Sequence, residues 1–521
     1  MLRIRIRFSY FHSLRFRWVF CQLENLRHCL PPSVRRILAE LPETLDETYK
    51  RILSEIPRSN QVHTHRLLQC LTVAVRPLYV EELAEVLAVD FGGTGGIPKL
   101  KEDLRWEDQE QAVMSACSSL IAVIEDEDSR VVQISHFSVK EFLTSDRLAT
   151  SKVDGSCYHH ILLEPAHTVM AQACLGVLLR LDYDIDEEKI TSLPLAGYAA
   201  ENFIDHVEFG NVLSHIGDCV DHFLDEDKPH LAAWIWMRRG QYGHPQQPKA
   251  VPLYYIAEFG YVGLVRHLIS EGPEGVNARR DRGTPLHAAS CKGHVEIIQL
   301  LLGHCVGVDP RDSDGQTPLH LAAELGSLEV IRILVERNAD INAQDNQGRT
   351  PLHRALGYND LGFDVAKFLL EHGADAGVKD NDALSTPLHE VAYRGSVKIV
   401  QLLLEHGANV HARNNMGHTP LHRAVYDLSP DNSYEETCLR VIMLLLEHGA
   451  DIGALDNDHS TPLHVLSLYG NVKATQLLLE QGANVNLQNK ESKAPHQIAS
   501  AAGHEKLVRL LSEHLDNEEK T

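Results

Sequence analysis

Paired cysteines are what this 521-residue sequence most plainly lacks. Its ten cysteines, from Cys21 to Cys438, are scattered, and no two stand as CxxC. That spacing excludes a disulfide framework and points to reduced thiols, several of them within apolar helical runs. No Asn-x-Ser/Thr sequon occurs either, which fits a cytoplasmic address. No apolar run is long enough to span a membrane. Positive charge is in short supply: 49 basic residues face 72 acidic ones, a net charge of -23. The segment after residue 250 carries 23 basic and 36 acidic residues, hence -13 of that total. Such a surface repels phosphate backbones and anionic lipid, so neither nucleic acid nor membrane is expected as a partner.

One stretch reverses the charge. The first twenty residues hold Arg3, Arg5, Arg7, Arg15 and Arg17 with no acidic residue. In composition they resemble a mitochondrial presequence; the alternative is a mis-stated or truncated start of the reading frame.

What is present is a repeat. TPLH begins at Thr284, Thr317, Thr350, Thr386, Thr419 and Thr461, with degenerate copies at Val251 and Ala494. Successive spacings are 33, 33, 33, 36, 33, 42 and 33 residues. A 33-residue period carrying TPLH is the signature of an ankyrin solenoid, here of about eight repeats over residues 251–515. Thr supplies a helix-capping oxygen, Pro tolerates the first turn, and Leu points into the core. The imidazole is placed to bond backbone near the next repeat's turn. A second amphipathic helix follows in each copy, as in Val397 to Asn409. Gly373, Gly407, Gly449 and Gly482 stand where helix ends call for a left-handed residue. Neighbours must stack to bury their apolar faces. The three extra residues of repeat four are expected around Gly357 to Asp364, and the nine of repeat six at Asp427 to Glu435. Both insertions then lie between two helices, at one edge of the solenoid. Residues 516–521 read as a charged tail.

The first 250 residues are also mainly helical. Leu67 to Phe91 reads as helix, turn at Arg76-Pro77, then helix. Ser119 to Leu143 reads as a β-hairpin followed by a helix. Together they outline a winged helix over residues 61–150, after a helical segment at 16–60 and before a helical linker domain at 151–245. The stretches FRWVFCQLENLRHCLPPSVRRILAELPETLDETYKRIL, RPLYVEELAEVLAVDF and VQISHFSVKEFL resemble the segments that follow the nucleotide-binding core of fungal NACHT–ankyrin proteins, NLR-like signalling NTPases of the STAND class. The resemblance covers residues 16 to 240 and, with the repeats, nearly the whole chain. It implies an intracellular sensor whose repeats recognise a ligand. The departure is the absence of that family's P-loop, GxxxxGK[ST], and of a Walker B strand. FGGTGGIPK (Phe91 to Lys99) is no substitute, because no Gly-Lys-Ser/Thr follows. MLRIRIRFSYFHSL, within residues 1–15, has no counterpart in the family pattern, which favours a truncated start over a targeting segment.

No chemistry-bearing constellation stands out. Six of the 31 histidines belong to TPLH and read as structural. His159, His160 and His167 cluster without a Cys, Asp or Glu at ligand spacing. Asp309 to Gly315 resembles the start of a calcium loop, yet Pro310 takes the place of a ligand and no Glu closes it. Nothing like GxSxG occurs. The winged helix carries EDEDS at its wing tip, where a DNA binder would want Lys or Arg. The chain therefore reads as non-catalytic, with no metal and no cofactor: a scaffold or recognition module for a protein partner. The alternative is a fragment of an NLR-like NTPase. Candidate partner contacts are Asp314, Asn346, Asp382, Asn415 and Asp458 at the hairpin tips. On the first helices they are Lys292, Arg354, Glu390, Tyr393, Arg394, Arg423, Tyr426 and Tyr469.

Overall fold

A computed structural model describes residues 44–92, 96–117, 120–126, 129–149, 156–240, 245–248, 250–279, 282–304, 306–357, 362–426 and 435–518. The basic N-terminus, most of the 16–60 segment and parts of both repeat insertions lie outside the described residues. The chain divides into two compact units, Met1–Pro248 and Lys249–Thr521.

In the first unit, helix α1 (Leu45–Ser54) precedes α2 (Gln61–Val73), strand β1 (Leu78–Tyr79) and α3 (Val80–Leu87). Strands β2 (Val89–Asp90) and β3 (Lys99–Leu100) pair antiparallel, so the glycine-rich stretch connects two strands. Helix α4 (Gln109–Cys117) leads to the hairpin of β4 (Ile121–Asp126) and β5 (Ser129–Ile134), then α5 (Phe137–Leu143). The sheet order is β1-β5-β4, with Leu78 opposite Val132 and Val132 opposite Val123. This is a winged helix. Residues 127–128 at the wing tip lie outside the described residues.

Two buried carboxylates of this unit, Glu82 and Glu85, are paired, as their desolvation requires. The Arg76 guanidinium forks onto Glu82 at 2.6 and 2.9 Å, and Glu82 also accepts the Tyr79 amide at 2.8 Å. Arg105 pairs with the buried Glu85 carboxylate, which accepts the Leu195 amide at 2.7 Å. The following helices, α6 (Leu163–Leu178), α7 (Leu195–Val207), α8 (Val212–Leu224) and α9 (Pro229–Arg239), bury Phe203, Phe223 and Trp234 edge to face. The Trp234 indole N–H donates to Ala200 O at 2.9 Å.

In the second unit each repeat is a helix pair. Pro318–Leu325 with Leu328–Glu336 and Pro387–Arg394 with Val397–Glu405 show the pattern. The motif leucines Leu286, Leu319, Leu352, Leu388, Leu421 and Leu463 are at most 1% exposed. Each such burial contributes about 1.5–3 kcal/mol. Gly373, Gly407, Gly449 and Gly482 all have φ between 81° and 97°, as helix ends require. In the last copy Gln497 takes the histidine's place, its Oε1 accepting the Ala494 amide at 2.9 Å. The final helix, Glu505–Glu518, continues into what reads as a tail in sequence.

One expectation needs correction. The three extra residues of repeat four do not all lie between its helices. The hairpin that ends this repeat is itself one residue longer. Asp380 bonds Ser385 O across it, where Asp345 bonds Arg349 O in the preceding hairpin. Leu384 closes the longer turn at φ 51°, a position filled by Gly315, Gly348 and Gly417 in three other hairpins and by His459 and Ser492, at φ 59° and 57°, in two more.

Candidate functional site: the inner face of the last repeats

The hairpin tips form a ladder. The amides of Asn346, Asn381, Asn415, Asn457 and Lys490 each donate to a carbonyl of the preceding tip, at 2.7–3.0 Å. The Asn side chains repeat the link: Nδ2 of Asn346 donates to Ser313 O, and that of Asn415 to Asp382 O, at 3.0 and 3.2 Å. Two of the five tip candidates, Asn346 and Asn415, thus use their amides to tie neighbouring repeats. Asp314, Asp382 and Asp458 are exposed.

On the first helices the candidates separate into two groups. Lys292 is exposed at the end of its helix, and the Arg354 side chain is 17% exposed and ion-paired to Asp345 at 2.6 Å. The remainder gather. The Arg423 guanidinium carbon lies 4.3 Å from the Tyr393 ring centroid and 5.3 Å from that of Tyr426. Tyr426 meets Tyr469 edge to face at 5.5 Å. Arg394, one residue beyond Tyr393, pairs with Glu390 at 2.7 Å and donates to Leu356 O at 3.1 Å. Residues from three successive repeats therefore make one aromatic–guanidinium row. Tyr393 and Tyr426 each stand seven residues after their motif Thr, Arg423 four after Thr419 and Tyr469 eight after Thr461.

The row borders a groove of about 570 Å³ lined by Tyr426, Tyr469, His418, Asp456, Asp458 and Leu468, among others. Leu468 is 55% exposed. His418 Nε2 lies 3.5 Å from Asp456 Oδ2, and its ring stacks on His422 at 5.5 Å. Burial holds the His418 imidazole below its ordinary value, against the opposing pull of Asp456. His418, Asp456 and Leu468 were not among the sequence candidates. The histidine and aspartate lie just before TPLH, where hairpin and first helix meet, and only folding turns them toward the row. The arrangement offers stacking faces, a guanidinium and a mixed polar rim.

Among the described residues no group of three His, Cys, Asp or Glu is arranged to hold a metal ion. His159 is fully buried with both ring nitrogens unpartnered, and burial lowers its pKa to about 4. No helix among the described residues is long and apolar enough to cross a membrane.

Comparison with known proteins agrees with this geometry. The family model of ankyrin repeats in three copies matches residues 253–345, 305–380, 361–439 and 432–521, together more than half the chain. The model described as GPI inositol-deacylase, winged helix domain matches residues 54–153. The chain is 30% identical over 290 residues to azaphilone pigments biosynthesis cluster protein L of Monascus ruber, covering 51% of this chain and 60% of that one. It is 38% identical over 183 residues to palmitoyltransferase ZDHHC13 of Mus musculus, covering 35% and 29%. The ankyrin repeat domain of Bcl-3 aligns at TM-score 0.38 and 29% identity, over 44% of this chain and 98% of that one. The chain thus spans 60% or less of the length of these two curated relatives. By the repeats that fill its second unit, the chain belongs to the ankyrin-repeat family.

Proposed function

We propose that the chain is a non-catalytic recognition module that holds a protein partner along the inner face of repeats five to eight. The observation that carries this is the row of Tyr393, Arg423, Tyr426 and Tyr469 beside an open groove. Aromatic and arginine side chains are the residues that dominate protein interfaces, because they bury large area at small entropic cost. The acidic balance of the chain, -23 overall, supports a protein partner over nucleic acid or anionic membrane. No metal or cofactor enters this reading, and the cytoplasm is the compartment it assumes. Division into a winged helix at 61–150, a helical linker at 151–245 and repeats at 251–515 belongs to the same proposal, as do residues 16–60 as the end of a NACHT-type module. Limited proteolysis with mass spectrometry tests those boundaries.

Affinity capture from native extract with the full chain tests the function. Wild type should retain a specific set of proteins, and Tyr426→Ala with Tyr469→Ala should lose it. Identical recovery by both would remove the groove from the proposal. A second reading, recognition arm of an NLR-like switch, is favoured by the winged helix preceding the repeats. The chain by itself should then still show no ATP binding in calorimetry. Micromolar affinity would overturn the non-catalytic reading.

A further inference from the structure

Arg354 and Arg423 occupy the same place in the repeat, directly after TPLH, in the fourth and sixth copies. Arg354 is neutralised from two sides. Its Nη2 lies 2.6 Å from Asp345 Oδ2, and its Nη1 lies 3.8 Å from Glu324 Oε2. Asp345 stands five residues before Thr350, and Glu324 seven after Thr317. In the copy that carries Arg423, the same two offsets fall on Asn414 and Tyr393. Asn414 keeps the hairpin duty of Asp345. Its Oδ1 accepts the Met416 and His418 amides at 3.0 and 2.9 Å, as Asp345 Oδ1 accepts those of Gln347 and Arg349 at 2.8 and 2.9 Å. The second oxygen is gone; an amide nitrogen, which only donates, stands in its stead.

Both internal carboxylates are thus replaced. Among the described residues the Arg423 guanidinium has no ion pair and no hydrogen bond, only the two tyrosine faces. A half-buried cation without an acceptor is costly unless a partner supplies one. The guanidinium carbon lies over both rings, and an arginine held this way keeps a planar N–H fork of the kind that takes a carboxylate in bidentate fashion.

Resting on the reading of this groove as the docking surface, we propose that Arg423 anchors a carboxylate side chain of the docked protein segment. A carboxylate fits better than a phosphate. The repeats carry a net charge of -13, and Asp456 and Asp458 line the same groove. A dianion is repelled there more than a monoanion. Exposed Leu468 and the Tyr469 ring next to it favour a single Asp or Glu within an apolar or aromatic stretch.

The probe is a random dodecapeptide library displayed on phage and panned over the full-length chain. Retained peptides are synthesised and titrated by fluorescence anisotropy. Each should contain Asp or Glu, and changing that residue to its amide should weaken binding about tenfold or more. Arg423→Gln should weaken binding by the same factor and make the peptide's own amide change silent. Asn414→Asp should weaken binding too, because it restores the internal partner. Since that variant is expected to raise thermal stability, a loss through misfolding is ruled out by melting the same sample. Binding that is indifferent to both variants, or retained peptides without acidic residues, would overturn the anchor while leaving the groove reading intact. Binding only when phosphoserine replaces the acid would overturn the carboxylate assignment. Failure to retain any peptide would remove the groove reading, and this assignment with it.

Discussion

The Nε2 atom of His287 lies 3.0 Å from the carbonyl oxygen of Gln316, twenty-nine residues further along the chain. The Thr284 amide donates to Nδ1 of the same ring at 3.1 Å, which makes Nδ1 an acceptor and puts the proton on Nε2. The imidazole therefore joins the start of its own helix to the next repeat. His320, His389, His422 and His464 repeat the bond to Arg349, His418, Ser460 and Lys493 carbonyls at 3.0–3.2 Å. His353 does not. Its Nε2 is buried without a partner. The equivalent carbonyl, Ser385 O, still favours the protonated ring, yet forms no bond of full hydrogen-bond geometry with it. That carbonyl belongs to the hairpin that, among the described residues, carries an extra residue.

His389→Ala should destabilise the repeats by about 1–3 kcal/mol, because it leaves the His418 carbonyl without its donor and opens a void. His353→Ala should cost less, having no such bond to lose. Urea titration followed by circular dichroism compares the two; an equal or larger loss at His353 would contradict the account.

Acid should weaken the solenoid. Burial lowers the pKa of His353, His389 and His422 to about 4. Unfolded histidine titrates near 6.5. Between those values the unfolded chain binds more protons, so stability is full above about pH 6.5 and falls as pH drops toward 4. Each histidine contributes a slope of at most about 1.4 kcal/mol per pH unit. Melting temperatures at pH 7, 6, 5 and 4.5 should decline steadily, with a shallower decline in His389→Gln. A flat profile would show that these rings are not held neutral.

Leu384→Gly should stabilise the protein by about 0.5–1 kcal/mol. Leu384 adopts φ 51° at a tip where it is 44% exposed, so glycine relieves strain and loses little packing. Leu384→Ala keeps the strained backbone and should give no gain. Thermal melts of both variants distinguish backbone relief from side-chain removal.

Asp345→Asn and Asn414→Asp should have opposite signs. The first strands Arg354 without its 2.6 Å partner and should cost about 1–3 kcal/mol. The second supplies Arg423 with the carboxylate that Arg354 has, and should raise the melting temperature. Two changes of the same sign would mean that residue 414 does not face Arg423 as Asp345 faces Arg354.

Much was legible in advance. The 33-residue period, the motif threonines and prolines, and the glycines past the helix ends each carry a local rule, and local rules can be read from neighbours in sequence. The winged-helix outline was legible for the same reason, since a helix pair and an alternating hairpin are local patterns. Less of the site was. Tyr393, Arg423, Tyr426 and Tyr469 could be named one by one from residue type. Their union into a row, and the inclusion of His418, Asp456 and Leu468, depend on residues a repeat or more apart. The roles of Asn346 and Asn415 as rungs between tips, and the extra residue in the hairpin of Leu384, escaped the reading because composition does not reveal which carbonyl faces which amide.

The sequence by itself determined that this chain stacks ankyrin repeats, because a period of short-range signals leaves each unit with an apolar face that only a neighbour can cover. Tertiary structure alone decided what the stack presents. Stacking sets residues some 33 positions apart side by side, and so it settled that Arg354 meets two carboxylates while Arg423 meets two tyrosines.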